Sequence, residues 1–352
     1  MDIIQLLEFS MKKGASDLHL SSGSPPRMRV HGEMKKINIP NFTKDDIHYM
    51  IYDIMNDEQK KRFEESKEID FSCQLGGIGR FRVNIFFQQN GEAAVFRTIP
   101  TKILTFEELK LPEVIRTLAD KEKGMILVTG PTGSGKSTTL AAIIDYINKT
   151  RKGHIITIED PIEFVHESLN CMVNQREVGA NTHSFANALR SALREDPDVI
   201  LVGEMRDLET ISLAITSAET GHLVFGTLHT SSAGKTVDRI IDVFPTNQQQ
   251  QIRAMFAESI EGVIAQKLLP RKDGDGRAAA LEIMLGTTAI RNLIREGKTF
   301  QIPSMIQTGI NVGMQSLDYS LKNLVNEGIV DSSVAVHYAQ DPKSFEANLG
   351  EF

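Results

Sequence analysis

The sequence predicts an α/β protein: a phosphate-loop domain built on a parallel β-sheet, preceded by a smaller α+β domain. Three observations lead there. From Gly124 onward, short apolar runs alternate with segments of helical period, the pattern of a parallel sheet covered on both faces. Between the first such run and the first such helix, Gly130-Pro131-Thr132-Gly133-Ser134-Gly135-Lys136-Ser137 matches the phosphate-loop pattern at every fixed position. Before about residue 100 the pattern differs, with capped helices, alternating strands and a hairpin signal.

Asp2 caps a helix over residues 2–13, with Ile3, Leu6, Leu7 and Met11 on one face and Gly14 as its stop. Ser16-Asp17-Leu18-His19-Leu20 and a Ser/Gly/Pro turn follow, and residues 27–31 alternate like a strand. Thr43 and Asp46 form a capping box for a helix to about Met55. Strands are expected at 69–73, 80–87 and 93–97, the last two joined by Asn90-Gly91. Residues 1–100 are therefore the first domain, 101–112 a linker with a proline at or near each end, and 113–352 the second domain with a helical C-terminal segment. In the second domain, strands are expected at 125–129, 155–159, 199–202 and 223–227, and helices at 137–148, 184–194 and 208–217. After Phe244 the reading is mostly helical, at 248–269, 288–295, 315–326 and a final short segment, with one more strand at 278–285. Gly234-Lys235-Thr236 lacks the upstream glycine of a phosphate loop and reads as ordinary helix.

Composition narrows the function classes. With 41% hydrophobic and 24% charged residues the chain is an ordinary globular protein. A net charge of -7 argues against a general nucleic-acid binder, which carries a basic footprint. Cys73 and Cys171 are the only cysteines, too few for a disulfide framework or a four-cysteine zinc site, and fit a reducing, cytoplasmic setting. Asp2, Gln5 and Glu8 interrupt the N-terminal apolar face, so no secretion signal is read. No apolar run approaches the ~20 residues of a membrane helix. Work at a membrane would go through docking.

The candidate chemistry starts at the loop. Its glycines let successive N–H groups turn toward anionic oxygens, Lys136 can reach the β- and γ-phosphates, and the Ser137 hydroxyl suits Mg²⁺. Hydrolysis further needs an oriented water and groups that neutralise charge on the γ-phosphate. Carboxylates at the C-terminal ends of strands are the natural suppliers. Glu159-Asp160-Pro161-Ile162-Glu163 follows one strand, and could also be a solvated acidic turn. Val199-Ile200-Leu201-Val202-Gly203-Glu204 resembles a Walker B element with Glu in place of Asp, or a surface acid after a core strand. His229 follows a strand and could sense or donate to the γ-phosphate, whereas His222 precedes the same strand and would lie farther away; either could instead be structural. Arg80, Arg82 and Arg97 lie on or beside the hairpin strands, as exposed arginines or as fingers toward another domain's or subunit's phosphate. Arg190 and Arg194, one helical turn apart, are solvated or face a neighbour's nucleotide.

Together these motifs resemble the secretion ATPase superfamily, and within it the PilT-type retraction ATPases of type IV pili. The resemblance runs from Gly14-Ala15-Ser16-Asp17-Leu18-His19-Leu20 through Gly79-Arg80-Phe81-Arg82-Val83-Asn84 and Phe96-Arg97-Thr98-Ile99-Pro100. It continues through the phosphate loop, an Asp box ending at Glu163, the Walker B region around Glu204, a His box holding His222 and His229, and Ala289-Ile290-Arg291-Asn292-Leu293-Ile294-Arg295-Glu296-Gly297-Lys298. That last segment also reads as an amphipathic helix stopped by Gly297. The resemblance implies a PAS-like first domain, a RecA-like second domain and a homohexameric ring with ATP between the domains. It implies that Lys136, Ser137 and Thr138 hold phosphate and Mg²⁺, and that Glu204 supports the metal through water. Glu163 would polarise the attacking water, and Arg82, Arg97 and Arg194 would neutralise charge. The implied work is ATP-driven pilus retraction and twitching motility, on the cytoplasmic side of the inner membrane against a platform protein, without nucleic acid or zinc. Pilus-extension and type II secretion export relatives usually carry a four-cysteine zinc module and longer N-terminal domains, which this chain does not match. A nucleotide-gated adaptor without turnover and a DNA translocase are the readings from other classes.

Overall fold

The computed structural model describes residues 2–30, 32–75, 77–100, 102–274 and 276–349. His31, expected to end a strand, and Thr101, the first linker residue, lie outside the described residues. The chain divides into two compact units, Met1–Lys102 with Pro161–Val165, and Ile103–Asp160 with His166–Phe352.

In the first unit, α1 (Ile3–Lys12) starts at a capping box in which the Gln5 N–H donates to Asp2 at 2.8 Å, and Gly14 follows it in the left-handed region. Then come β1 (Asp17–Ser21), β2 (Arg27–Val30), β3 (Glu33–Lys36), α2 (Lys44–Tyr52), α3 (Asp57–Ser66), β4 (Glu68–Leu75), β5 (Gly79–Gln88) and β6 (Gly91–Ile99). The strands form one antiparallel sheet in the order β3-β2-β1-β6-β5-β4. Leu18, Leu20, Phe81, Val83, Ile85 and Phe96 meet Leu6, Leu7, Ile47 and Phe63 in its core. Two elements escape the sequence pattern. All four β3 residues are exposed, so β3 has no alternation, and α3 buries only Phe63. α2 ends at Tyr52 rather than near Met55, because Asn56 takes extended backbone to cap α3. Gln88 pairs with Gly91, so the hairpin loop is Gln89-Asn90 and Gly91 opens the next strand.

The second unit opens with α4 (Glu113–Ala119), β7 (Gly124–Thr129), α5 (Lys136–Thr150), β8 (His154–Glu159), β9 (Met172–Glu177), α6 (Phe185–Ala192) and β10 (Val199–Val202). α7 (Leu208–Glu219), β11 (Leu223–Leu228), α8 (Ala233–Asp242), α9 (Thr246–Ser259), β12 (Ile260–Pro270) and β13 (Arg277–Leu285) follow. The C-terminal helices are α10 (Thr288–Arg295), α11 (Ile302–Thr308), α12 (Leu317–Asn326), α13 (Ser332–Tyr338) and α14 (Pro342–Leu349). The sheet order is β13-β12-β7-β11-β10-β8-β9, parallel throughout except for the antiparallel edge pair β12–β13. The four strands expected from the sequence are the central ones. The expected helix over 248–269 is corrected: it stops at Ser259, and Ile260–Pro270 is a strand parallel to β7. Its Gln, Lys and Leu content favours helix, but Gly262, Val263 and Ile264 suit a buried strand, and pairing on two sides decides. A Cβ at Gly262 would lie 2.8 Å from the Leu118 side chain, so a larger residue there would have to displace Leu118.

Residues 103–112 group with the second unit, where the buried Phe106 ring packs tilted against Tyr146 with centroids 5.3 Å apart and Leu109 and Leu111 join its core. Among the described residues no helix is long and apolar enough to cross a membrane. Because β7, β8, β10 and β11 run parallel, the loops after them emerge at one edge of the sheet. The candidate site is built there.

Candidate active site

After Thr129 the chain turns through Gly130, Gly133 and Gly135, with φ of 146°, 78° and 87°, and enters α5 at Lys136. A Cβ on Gly130 would lie 2.3 Å from the Gln266 carbonyl oxygen, and one on Gly135 2.7 Å from Gln266 Nε2. Gly130 and Gly135 are thus favoured by sterics as well as by φ, and Gly133 by φ alone. α5 has no side-chain cap, so the N–H groups of its first turn are left for an anion. Lys136 Nζ donates to the carbonyls of Gly130 at 2.9 Å and Pro131 at 3.1 Å, which holds the ammonium against the loop. Beside Gly135, Thr138 and Thr139 lies a cavity of about 490 Å³ whose walls include Leu104, Leu268 and Arg277. Its size is in the range of small-ligand pockets.

Gln266 was missed as a site residue because its segment reads as helix. It is 3% exposed, accepts from Thr139 Oγ1 at 2.8 Å and donates through Nε2 to the Ser134 carbonyl at 2.7 Å. Gln266→Leu leaves both groups buried without these partners. The variant is expected to lose about 2–4 kcal/mol of stability in denaturant unfolding, with weaker nucleotide binding as the loop loosens.

Glu204 follows β10 and is brought together with His229, which follows β11: His229 Nε2 lies 3.2 Å from Glu204 Oε1. Arg206, a residue the sequence reading passed over, closes on the same carboxylate oxygen. Burial pushes the Glu204 carboxyl up, but the Arg206 hydrogen bond and the charges of Arg206, His229 and Lys136 outweigh it and hold it below the ordinary carboxylate range. Asp160 adds to the field on Arg206. Glu159 is tied into the sheet, accepting from Thr157 Oγ1 at 2.7 Å and from Gln175 Nε2 at 3.2 Å. A Cβ on Gly203 would lie 3.0 Å from the Ile158 carbonyl oxygen, so glycine lets the chain before Glu204 pass the end of β8.

The other candidates stand on other elements. His222 precedes β11 and sits at the other end of that strand from His229, about 20 Å of extended chain away. Its Nδ1 donates to the Ser217 carbonyl at 3.0 Å at the end of α7, a structural contact. Glu163 is exposed on Pro161–Val165, the segment that groups with the first unit. In that unit Arg82 forks onto Asp70, with contacts of 2.6 and 3.1 Å, and Arg97 Nε donates to Asp17 at 2.9 Å. Asp17 is buried; burial raises its carboxyl, yet the Ser16 hydroxyl and Arg97 outweigh that and hold it below the usual range. The expected helix over 184–194 ends at Ala192, since the Arg194 N–H closes on Ser191 and Asp196 turns with φ 54°. Arg194 is exposed beyond that end, and Arg190 pairs with Glu209.

Among the described residues no three His, Cys, Asp or Glu side chains gather as a metal cluster. The hydroxyl of Ser137 and the carboxylate of Glu204 are hard oxygen donors of the kind Mg²⁺ takes alongside phosphate oxygens and waters, so the donor set fits that ion. A glycine-shaped anion loop with Lys136, and an ionised acid after β10 at the same edge of the sheet, define a phosphate-loop nucleotide-binding protein of α/β class.

The chain belongs to the family described as Type II/IV secretion system protein, whose model matches residues 2–301. It is 60% identical to the "Type IV pilus retractation ATPase PilT" of Pseudomonas aeruginosa over 345 residues, covering 98% of this chain and 100% of that one. It is 40% identical to the "Type IV pilus ATPase PilU" of the same organism, covering 96% and 89%. It is also similar to a crystal structure of the pilus retraction motor PilT with bound ADP, at TM-score 0.92 and 47% identity, covering 99% of each chain.

Proposed function

We propose that this chain is an ATPase motor that powers type IV pilus retraction and hence twitching motility. The observation that carries the reading is 60% identity to a pilus retraction ATPase along essentially the full length of both chains, on a fold whose phosphate loop and acids stand at one sheet edge. Identity to the type IV pilus ATPase PilU is lower, at 40%, which favours the retraction ATPase over a closely similar accessory retraction ATPase. The two cysteines leave no four-cysteine zinc module of the extension and export relatives.

The residues divide the work as follows. Residues 130–138 surround the phosphates with N–H groups, the Lys136 ammonium and the hydroxyls of Ser137 and Thr138. Bound Mg²⁺ would supply charge neutralisation at the phosphates, and Ser137, with Glu204 through water, would hold it. Arg206 keeps Glu204 anionic for that task, and His229, on the same carboxylate, reports the state of the γ-phosphate. Glu159 and Asp160 fix the strand end from which Glu163 reaches the attacking water. Arg82, Arg97 and Arg194 neutralise developing charge. The Arg82 pair with Asp70 is exposed and worth about 0–1 kcal/mol, whereas freeing Arg97 strands the buried Asp17 carboxylate.

The motor is a homohexamer of RecA-like domains, each preceded by a PAS-like domain, with ATP between them. It acts from the cytoplasm on an inner-membrane platform protein, without nucleic acid or zinc. Phosphate release measured together with the mass of the assembly tests this reading. Turnover confined to a six-chain species is expected. A hexamer that binds ATP with Mg²⁺ but releases no phosphate would establish the adaptor instead.

A further inference from the structure

One buried acid is used by none of the roles above. Glu282, in the middle of β13, is 3% exposed. Its Oε1 accepts the N–H of Ala233, the first residue of α8, at 2.7 Å, and its Oε2 accepts from Gln340 Nε2 at 2.7 Å. Burial holds its carboxyl above the ordinary carboxylate range, an effect that the Ala233 N–H, Gln340 and Lys267 offset only in part. A carboxylate at the start of a helix also meets the positive end of the helix dipole.

The turn it grips is central to the site. Ala233 is four residues after His229. In the same turn the Thr236 hydroxyl lies 2.7 Å from the Thr230 hydroxyl and 3.5 Å from that of Thr129, the residue before the phosphate loop. Thr236 also donates to the Ser232 carbonyl at 2.8 Å. The first turn of α8 is therefore tied to the end of β7, to the segment carrying His229 and to Glu282. Ala233 is itself fully buried, so its N–H has no water to turn to, and the Glu282 carboxylate is the partner that fixes the position of this turn.

We infer that Glu282 is a positioning residue for ATP hydrolysis, acting through the first turn of α8 to set the His229 segment against Glu204. The inference rests on the roles given above to His229 and Glu204. Two variants separate reach from charge. Glu282→Asp keeps the charge but is one methylene too short for Ala233, whereas Glu282→Gln keeps the reach and loses the charge. Turnover at saturating ATP is expected to fall about tenfold or more in Glu282→Asp, since small misplacements in a site are costly. Affinity for a fluorescent ADP analogue stays within about twofold in the same variant, and Glu282→Gln keeps turnover within about threefold of wild type. Wild-type turnover in Glu282→Asp would overturn the inference. So would equal loss in both variants, or turnover, affinity and melting temperature falling together. Glu204→Ala runs alongside: if it turns over normally, the reading of the site fails; if it is inactive while Glu282→Asp is normal, only the positioning role fails.

Discussion

Lys136→Ala abolishes nucleotide capture: affinity for a fluorescent ADP analogue falls by more than about tenfold and phosphate release by at least about 100-fold. The physical reason is local. The loop's N–H groups remain after the substitution, but the only full positive charge of the loop itself is gone. In the structure that ammonium spans the Gly130 and Pro131 carbonyls, so it is already gathered against the loop and needs little rearrangement to meet phosphate oxygens. Alanine is a strong helix former and Lys136 is the first residue of α5, so the helix persists and the melting temperature barely moves. A variant that binds the analogue within about threefold of wild type would remove Lys136 from its role.

Glu204→Ala does the opposite: binding persists and turnover falls by about 100- to 1,000-fold. Phosphate contacts are made by the loop, so affinity is retained. What is lost is the carboxylate proposed to hold the metal through water, and with it the shared partner of Arg206 and His229. The carboxyl is held below the ordinary range, so it is ionised at neutral pH. Its ion-pair contribution to stability is intact above the unfolded-state value and lost as pH falls through the lowered folded-state value. Glu163→Gln likewise keeps binding and loses turnover. Near-wild-type hydrolysis in Glu163→Gln would take that residue out of the reaction.

What was legible in the sequence was what neighbouring residues encode together. The phosphate loop, the capping boxes at Asp2 and Thr43 and the four central strands are written in consecutive residues, each with its own period or spacing. Glu204 and His229 were legible because two parallel strands end beside each other, which makes the residues after them neighbours. Gln266 was not. Its partner Ser134 is 132 positions away, and the helical propensity of its segment concealed the strand that presents it. Arg206 was passed over because an arginine after an acid looks solvated until the fold turns it back onto Glu204. β3 and α3 carry almost no buried side chains, so no hydrophobic period marks them. His222 illustrates the converse: a histidine beside a strand in a suggestive motif, held at the end of the strand opposite the site by the Ser217 carbonyl.

The central claim is that ATP turnover at this site drives retraction. The most direct measurement is surface piliation and twitching in a strand-by-strand comparison of hosts: a strain deleted for this gene, complemented with wild type or with Glu204→Ala. The account predicts abundant surface pili and no twitching in the deletion strain, twitching restored by wild type, and the deletion phenotype unchanged by Glu204→Ala. Loss of surface pili on deletion, or twitching restored by Glu204→Ala, would contradict it.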